Sequence, residues 1–174
     1  MLIFNLADYV TFGRSKYEIS SKLSDCDAKI GIGKCEASSK LSNHKCENVF
    51  ANDEKKGFWV TPDNPNPKWI KFYLDTTYLL KILKILPAAG HADKMKSISV
   101  RFSDNATFNH ELGDGETWIE VIIPIITYSN SVKITGNSNH HGPGYNGMGM
   151  SEIQIFGCNP GIQILLISVL TKYC

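Results

Sequence analysis

The chain has 174 residues and a formal net charge of +1, from 18 basic and 17 acidic side chains. Hydrophobic residues make up 43% and charged residues 20%, which fits one ordinary globular domain with short extensions and excludes a disordered or low-complexity chain. The near-neutral balance gives no electrostatic case for nucleic acid, so any charge-driven binding must come from a local patch.

In chain order, Met1–Val10 lacks the basic start of a secretory signal, and Asn5 and Asp8 interrupt its apolar residues. Cys26-Asp27-Ala28-Lys29-Ile30-Gly31-Ile32 and Ala37-Ser38-Ser39 come next in the chain. Gly57-Phe58-Trp59 closes a polar loop. Thr61–Pro67 holds three prolines and is no central strand. Trp69–Leu74 (WIKFYL) alternates with the two-residue period of a half-buried strand. Leu79–Leu86 (LLKILKIL) could be helical by periodicity, but Pro87 and Ala-Ala-Gly end it after eight residues, which favours a strand. Ser97–Phe102 alternates cleanly, and Trp118–Ile126 is long and β-branched. Ser131–Thr135 and Glu152–Phe156 complete the series. Leu112–Glu116 contains the turn signal Gly113-Asp114-Gly115, and Gly136–Gly149 carries five glycines with His140, His141 and Tyr145. Many short strands between such turns predict an all-β sandwich or jelly roll. Ile162–Leu170, apolar apart from Gln163 and Ser168, is far short of the ~20 residues that span a bilayer.

No GxSxG elbow, HExxH or P-loop is present, and Asp114 and Glu116 sit in a turn without an apolar pocket to raise a carboxyl pKa. The sequence therefore gives an enzyme reading little support, and no catalytic activity is expected. The five cysteines, Cys26, Cys35, Cys46, Cys158 and Cys174, form no CxxC pair. Widely separated cysteines in a loop-rich β protein read as disulfides in an oxidising compartment, with one thiol left over.

The order and spacing of these phrases resemble the discoidin family, the C-type domain of coagulation factors five and eight. The phrases that carry the resemblance are Cys26–Ile32, Ala37-Ser38-Ser39 (a strand, by the resemblance), Gly57-Phe58-Trp59, Trp69–Leu74, Val100-Arg101-Phe102-Ser103-Asp104, Pro124-Ile125, Val132-Lys133-Ile134 and Ser151–Cys158. Two departures stand out. Ala51-Asn52 replaces the family's usual Asp-Gly, and Ser129–Ser131 stands where an arginine usually precedes the penultimate strand.

The resemblance implies an eight-stranded jelly-roll β-sandwich of the galactose-binding-like kind over 26–158, an N-terminal extension over 1–25 and an apolar tail over 159–174. It implies a disulfide Cys26–Cys158 joining the domain ends. Cys35 and Cys46 could form a second bridge or stay as two reduced, buried thiols, and Cys174 is the expected odd thiol. It also implies a ligand end built from the loops opposite the termini: Lys40–Cys46, Asn52–Gly57, Ala88–Lys94 and Asn137–Gly149. The candidate ligand-binding residues there are His44, His91, Lys94, His140, His141 and Tyr145, with Trp59 nearby, weighed against the reading of Trp59 as core. Rings offer a stacking face to sugars, and convergent polar groups fix hydroxyls in place. A structural calcium ion would draw on Asp53 and Glu152, as hard oxygen donors, although Ala51 removes one candidate ligand. The adjacent pair His140 and His141 lacks a third ligand for zinc. Expected partners are glycans or glycoproteins, with matrix proteins or cell-surface receptors as the alternative, outside the cell or on an ectodomain. The loop tips offer a membrane only Leu41, although Lys40, Lys45, Lys55, Lys56 and Lys94 could form a basic rim.

Overall fold

A computed structural model describes residues 27–40, 43–50, 58–62, 67–88, 94–141 and 147–159. Among them the chain is all-β and antiparallel, with nine strands, one 3-10 turn and no α-helix. The strands are β1 (Ala28–Ile30), β2 (Ile32–Ala37), β3 (Trp59–Val60), β4 (Lys68–Pro87), β5 (Met95–Phe102), β6 (Thr107–Glu111), β7 (Ile119–Ile122), β8 (Tyr128–Asn139) and β9 (Gly149–Cys158). The 3-10 turn is Cys46–Val49.

The architecture turns on β4. Its first half, up to Leu74, lies between β2 and β8, and β8 continues to β5 and β6. Its second half, from Leu79, lies between β9 and β7, and β9 also carries β1 and β3. One strand thus serves both layers of a β-sandwich. The inner faces of the layers close on one core containing Ile70, Phe72, Val100 and Ile134 from the first layer and Leu83, Ile85, Val121 and Ile155 from the second.

Trp69–Leu74 and Leu79–Leu86, expected as two strands, are parts of this single one. The sequence still explains the layout. Lys68, Ile70, Phe72 and Leu74 are buried at even positions, whereas Leu83, Ile85 and Pro87 are buried at odd ones. A strand cannot change parity without an extra residue. The pairing with β9 shifts between Leu80 and Ile82, so Leu80 and Leu83 both face inward while Lys81 and Lys84 stay half-exposed.

Other expectations shift in extent. Trp118–Ile126 forms a strand only over Ile119–Ile122. Ile123 N–H still donates to the Lys81 carbonyl, but Pro124 has no N–H to continue the ladder. Ala37 ends β2, so Ser38 and Ser39 lie beyond it, with Ser38 N–H donating to Trp69 O. Thr107–Glu111, not anticipated as a strand, pairs with β5 through a turn in which Asn105 takes a left-handed φ of 68°. The Asp104 carboxylate accepts from Ala106 N–H in that turn, at 2.9 Å.

Cys35 and Cys46 are bonded, with Cα atoms 6.0 Å apart. The bridge ties β2 to the 3-10 turn. Cys158 is also disulfide-bonded. Cys26, its expected partner, lies outside the described residues, as do Cys174, the extension over 1–25 and the tail beyond Asn159. The register Ala28↔Gly157 brings the start of β1 beside Cys158.

Candidate functional site

β9 runs from Gly149 to Cys158, so its two ends lie ~30 Å apart at the rise of an extended strand. Cys158 marks the pole where β1 begins. The opposite pole gathers the connections β2–β3, β3–β4, β4–β5, β6–β7 and β8–β9. The loop expected over Asn137–Gly149 therefore stands away from the termini, with β8 extending to Asn139 and the connection itself confined to 140–148.

This pole is organised by hydrogen bonds between connections. Asn139, buried at the end of β8, donates through Nδ2 to Gly147 O at 3.1 Å and accepts from His141 N–H at 3.1 Å. One amide thereby fixes both ends of the β8–β9 connection. His140 N–H donates to Lys94 O. The His140 ring reaches the β6–β7 connection, where its Nε2 lies 3.0 Å from Leu112 O. A carbonyl can only accept, so Nε2 carries the proton. The Lys94 ammonium, half-buried, lies 3.3 Å from Glu116 and 3.6 Å from Asp114. The two turn carboxylates thus hold the start of β5.

The second half of the pole is built around Trp59. Its side chain is buried, and Nε1 donates to Ser39 O at 3.1 Å, which makes it core and an anchor for the β2–β3 connection. Gly149 lies against it: a Cβ there would stand 2.6 Å from Trp59 O and 2.8 Å from Val60 Cγ2. Only glycine lets the two backbones approach so closely. Buried Thr61 closes the seam, accepting from Met148 N–H at its hydroxyl. Next to Trp59, Phe58 stacks on His44, with ring centroids 4.5 Å apart and planes 19° from parallel. His44 is half-buried, in the loop closed by the Cys35–Cys46 bridge.

The sequence-selected residues thus separate. His44, Lys94, His140 and His141 share one pole, and His141 is the exposed member. His91, Tyr145 and Asp53 lie outside the described residues. Glu152 lies on β9 opposite Leu86 and accepts from Gln154 Nε2 at 3.0 Å. Among the described residues the one cluster of potential metal ligands is Cys35, Cys46 and Glu47, and its two sulfurs are already joined to each other. Sequence reasoning passed over Asn139 and Phe58. An Asn just before a His-His-Gly turn was a usable signal, because Asn side chains readily bond backbone two residues on. Phe58 gave no signal beyond its residue type.

An apolar groove of about 490 Å³ lies at the other pole, lined by Leu79, Ile82, Ile122, Pro124 and Ile126 among others. It is remote from the clustered histidines and has few polar groups to orient a small ligand.

No family model matches the chain, and no curated protein matches it in sequence. Solved structures do match in fold. A CBM32 module from Clostridium perfringens in complex with GalNAc-β-1,3-galactose aligns with a TM-score of 0.64 at 14% identity, covering 75% of this chain and all (100%) of that one. The family 32 carbohydrate-binding module of C. perfringens NanJ, in complex with galactose, aligns at 0.62 and 10% identity, over 74% of this chain and 99% of that one. A fucose-binding module from Streptococcus pneumoniae aligns at 0.59 and 13% identity, over 76% and 99%. At these identities the likeness establishes the galactose-binding-like β-sandwich, the fold that discoidin domains share.

Proposed function

We propose that this chain is a non-catalytic carbohydrate-binding module of the discoidin type, working outside the cell and holding a glycan at the pole opposite Cys158. The observation that carries this reading is the fold shared over nearly whole modules with structures solved on galactose and GalNAc-β-1,3-galactose. The chemistry of the pole agrees with it. The His44–Phe58 stack offers an aromatic wall, and His141 adds an exposed imidazole on a connection fixed by Asn139. Tyr145 and His91 belong to the same connections in sequence. Lys94 would meet an anionic sugar substituent only in exchange for its carboxylate partners. A calcium ion on Asp53 and Glu152 would act structurally and not touch the sugar.

A glycan array probed with and without chelator tests the proposal. Binding to galactose- or fucose-type glycans that is lost in His141→Ala/Tyr145→Ala, in a folded variant, supports it. Silence across the array, or unchanged affinity in the double variant, sinks it. Loss of thermal stability on chelation would support the calcium ion. A second reading, a protein-interaction or matrix-assembly domain, has one observation in its favour: Ile122 and Ile126 are 69% and 87% exposed beside the apolar groove. Retention on matrix proteins together with a silent array would select it.

A further inference from the structure

The outer face of the β2–β4–β8–β5–β6 layer carries a row of cations that the loop pole does not use. Residues directly opposite each other in antiparallel strands share a face. The pairings Lys71↔Lys133 and Lys133↔Arg101 therefore set three positive side chains abreast on three adjacent strands, ~10 Å from first to last. Lys34, opposite Tyr73, adds a fourth on the neighbouring row. Like charges directly opposite one another destabilise a sheet; Glu36, opposite Lys71, offsets one end of the row, and Lys133 and Arg101 gain most from an anion lying across them. Two carboxylates share this face. Glu36, at one end of the row, accepts from the Tyr73 hydroxyl at 2.9 Å and lies 3.6 Å from Lys34, and Glu111 sits at the far corner opposite Ser97.

Two aromatic rings on β4 flank the row on either side of Lys71 and hold the ammonium groups. Lys133 Nζ stands 4.3 Å from the Trp69 ring centroid, and Lys34 and Lys71 stand 4.4 and 4.5 Å from that of Tyr73. Arg101 Nη2 donates to Asn105 Oδ1 at 2.7 Å, which orients the guanidinium. With ammonium groups over these rings, the face is made for charge and not for stacking of bases or neutral sugars. Ser99, Asn109 and Asn137, joined by mutual hydrogen bonds beside the row, add neutral polar partners.

We infer that this sheet face is a second binding site, which takes an anionic polysaccharide bearing sulfate or carboxylate groups across Lys71, Lys133 and Arg101. It is separate from the loop pole and does not depend on the glycan reading there.

The full chain is titrated with heparin, alginate and dextran at about 50 mM salt, where polyanion contacts are strongest. Heparin alone binding assigns sulfate, and alginate binding as well assigns carboxylate; dextran is expected not to bind. Lys71→Gln/Lys133→Gln should weaken polyanion affinity about tenfold and flatten its salt dependence, because two neutralised charges are removed. Its signal on the glycan array should stay unchanged. Arg101→Gln, which disturbs no ring contact, gives a smaller loss in the same direction and decides the matter if the double variant fails to fold. Absence of binding to both polyanions, affinities of the folded variants within about twofold of the parent, or equal affinity for duplex DNA would each overturn the inference.

Discussion

His140 and His141 are neighbours in sequence and opposites in role. His140 gives its ring to the Leu112 carbonyl and its backbone N–H to Lys94, so it joins three connections. His140→Ala should therefore lower stability by about 1 kcal/mol in chemical denaturation, the usual net worth of a hydrogen bond. His141→Ala should stay within about 0.5 kcal/mol of the parent, as exposed substitutions usually do, and show its effect in glycan binding. The sequence displayed both imidazoles. It could not display that one ring nitrogen meets a carbonyl 28 residues away, since that depends on how β6 and β8 flank β5. Tyr78 provides a second test at this scale. Its hydroxyl donates to Asp75 Oδ1 at 2.9 Å, and this bond, then partial desolvation and the carboxylate charge, raise its pKa above 10.0. A group raised in the folded state contributes stability that is complete below its unfolded value, near pH 10. That contribution disappears as pH climbs through the raised folded value. Alkaline absorbance titration of the parent against Asp75→Asn should show a late-ionising phase, that of Tyr78, which the variant returns towards the ordinary value.

At the scale of elements, alternation made much of the sandwich legible. Ser97–Phe102 matches β5 nearly end to end, because one face is core and the other is water. Leu79–Leu86 was legible as a strand but not as the continuation of Trp69–Leu74, because the register shifts near Tyr73 and Leu80 break the two-residue period. Thr107–Glu111 was not legible, since an edge strand with half-buried Phe108 and His110 offers little hydrophobic contrast. For the candidate site, the resemblance implied which loops share a pole, but the contacts of Lys94 with Asp114 and Glu116 needed the tertiary fold. The Cys35–Cys46 bridge was one of two open readings, and it closes a loop 11 residues in separation. In the chain-entropy model such a loop contributes about 3 kcal/mol. Cys35→Ser/Cys46→Ser should lose about that much stability, measured by denaturant midpoint. It should also loosen the loop that presents His44 against Phe58.

For the whole molecule, the decisive feature is polarity. The described chain begins and ends beside Cys158, while Asn139, His140 and His141 lie at the other end of β9. A partner domain fused after Asn159 should therefore change affinity at the loop pole less than about twofold, because ~30 Å of strand separates the two. Isothermal titration of a fusion against the isolated chain would check this, and a large loss would mean that the poles communicate. The same polarity leaves Ile122 and Ile126, beside the apolar groove, at the pole of Cys158 and away from the loop pole.

The long shared strand also has a consequence during synthesis. The second half of β4 meets β7 first, but finds its longer pairing in β9, the last of the described strands, some 70 residues further along the chain. At translation speeds of about 5–20 residues per second, the segment Leu79–Leu86 waits roughly 4–14 s before its mate leaves the ribosome. During that interval a β-prone apolar stretch is open to every other nascent chain. Lys81 and Lys84, which in the finished sandwich pair with Asp27 and Glu120, fall at three-residue spacing inside that stretch. Charges placed in this way interrupt a β-prone apolar run and disfavour its pairing with other chains.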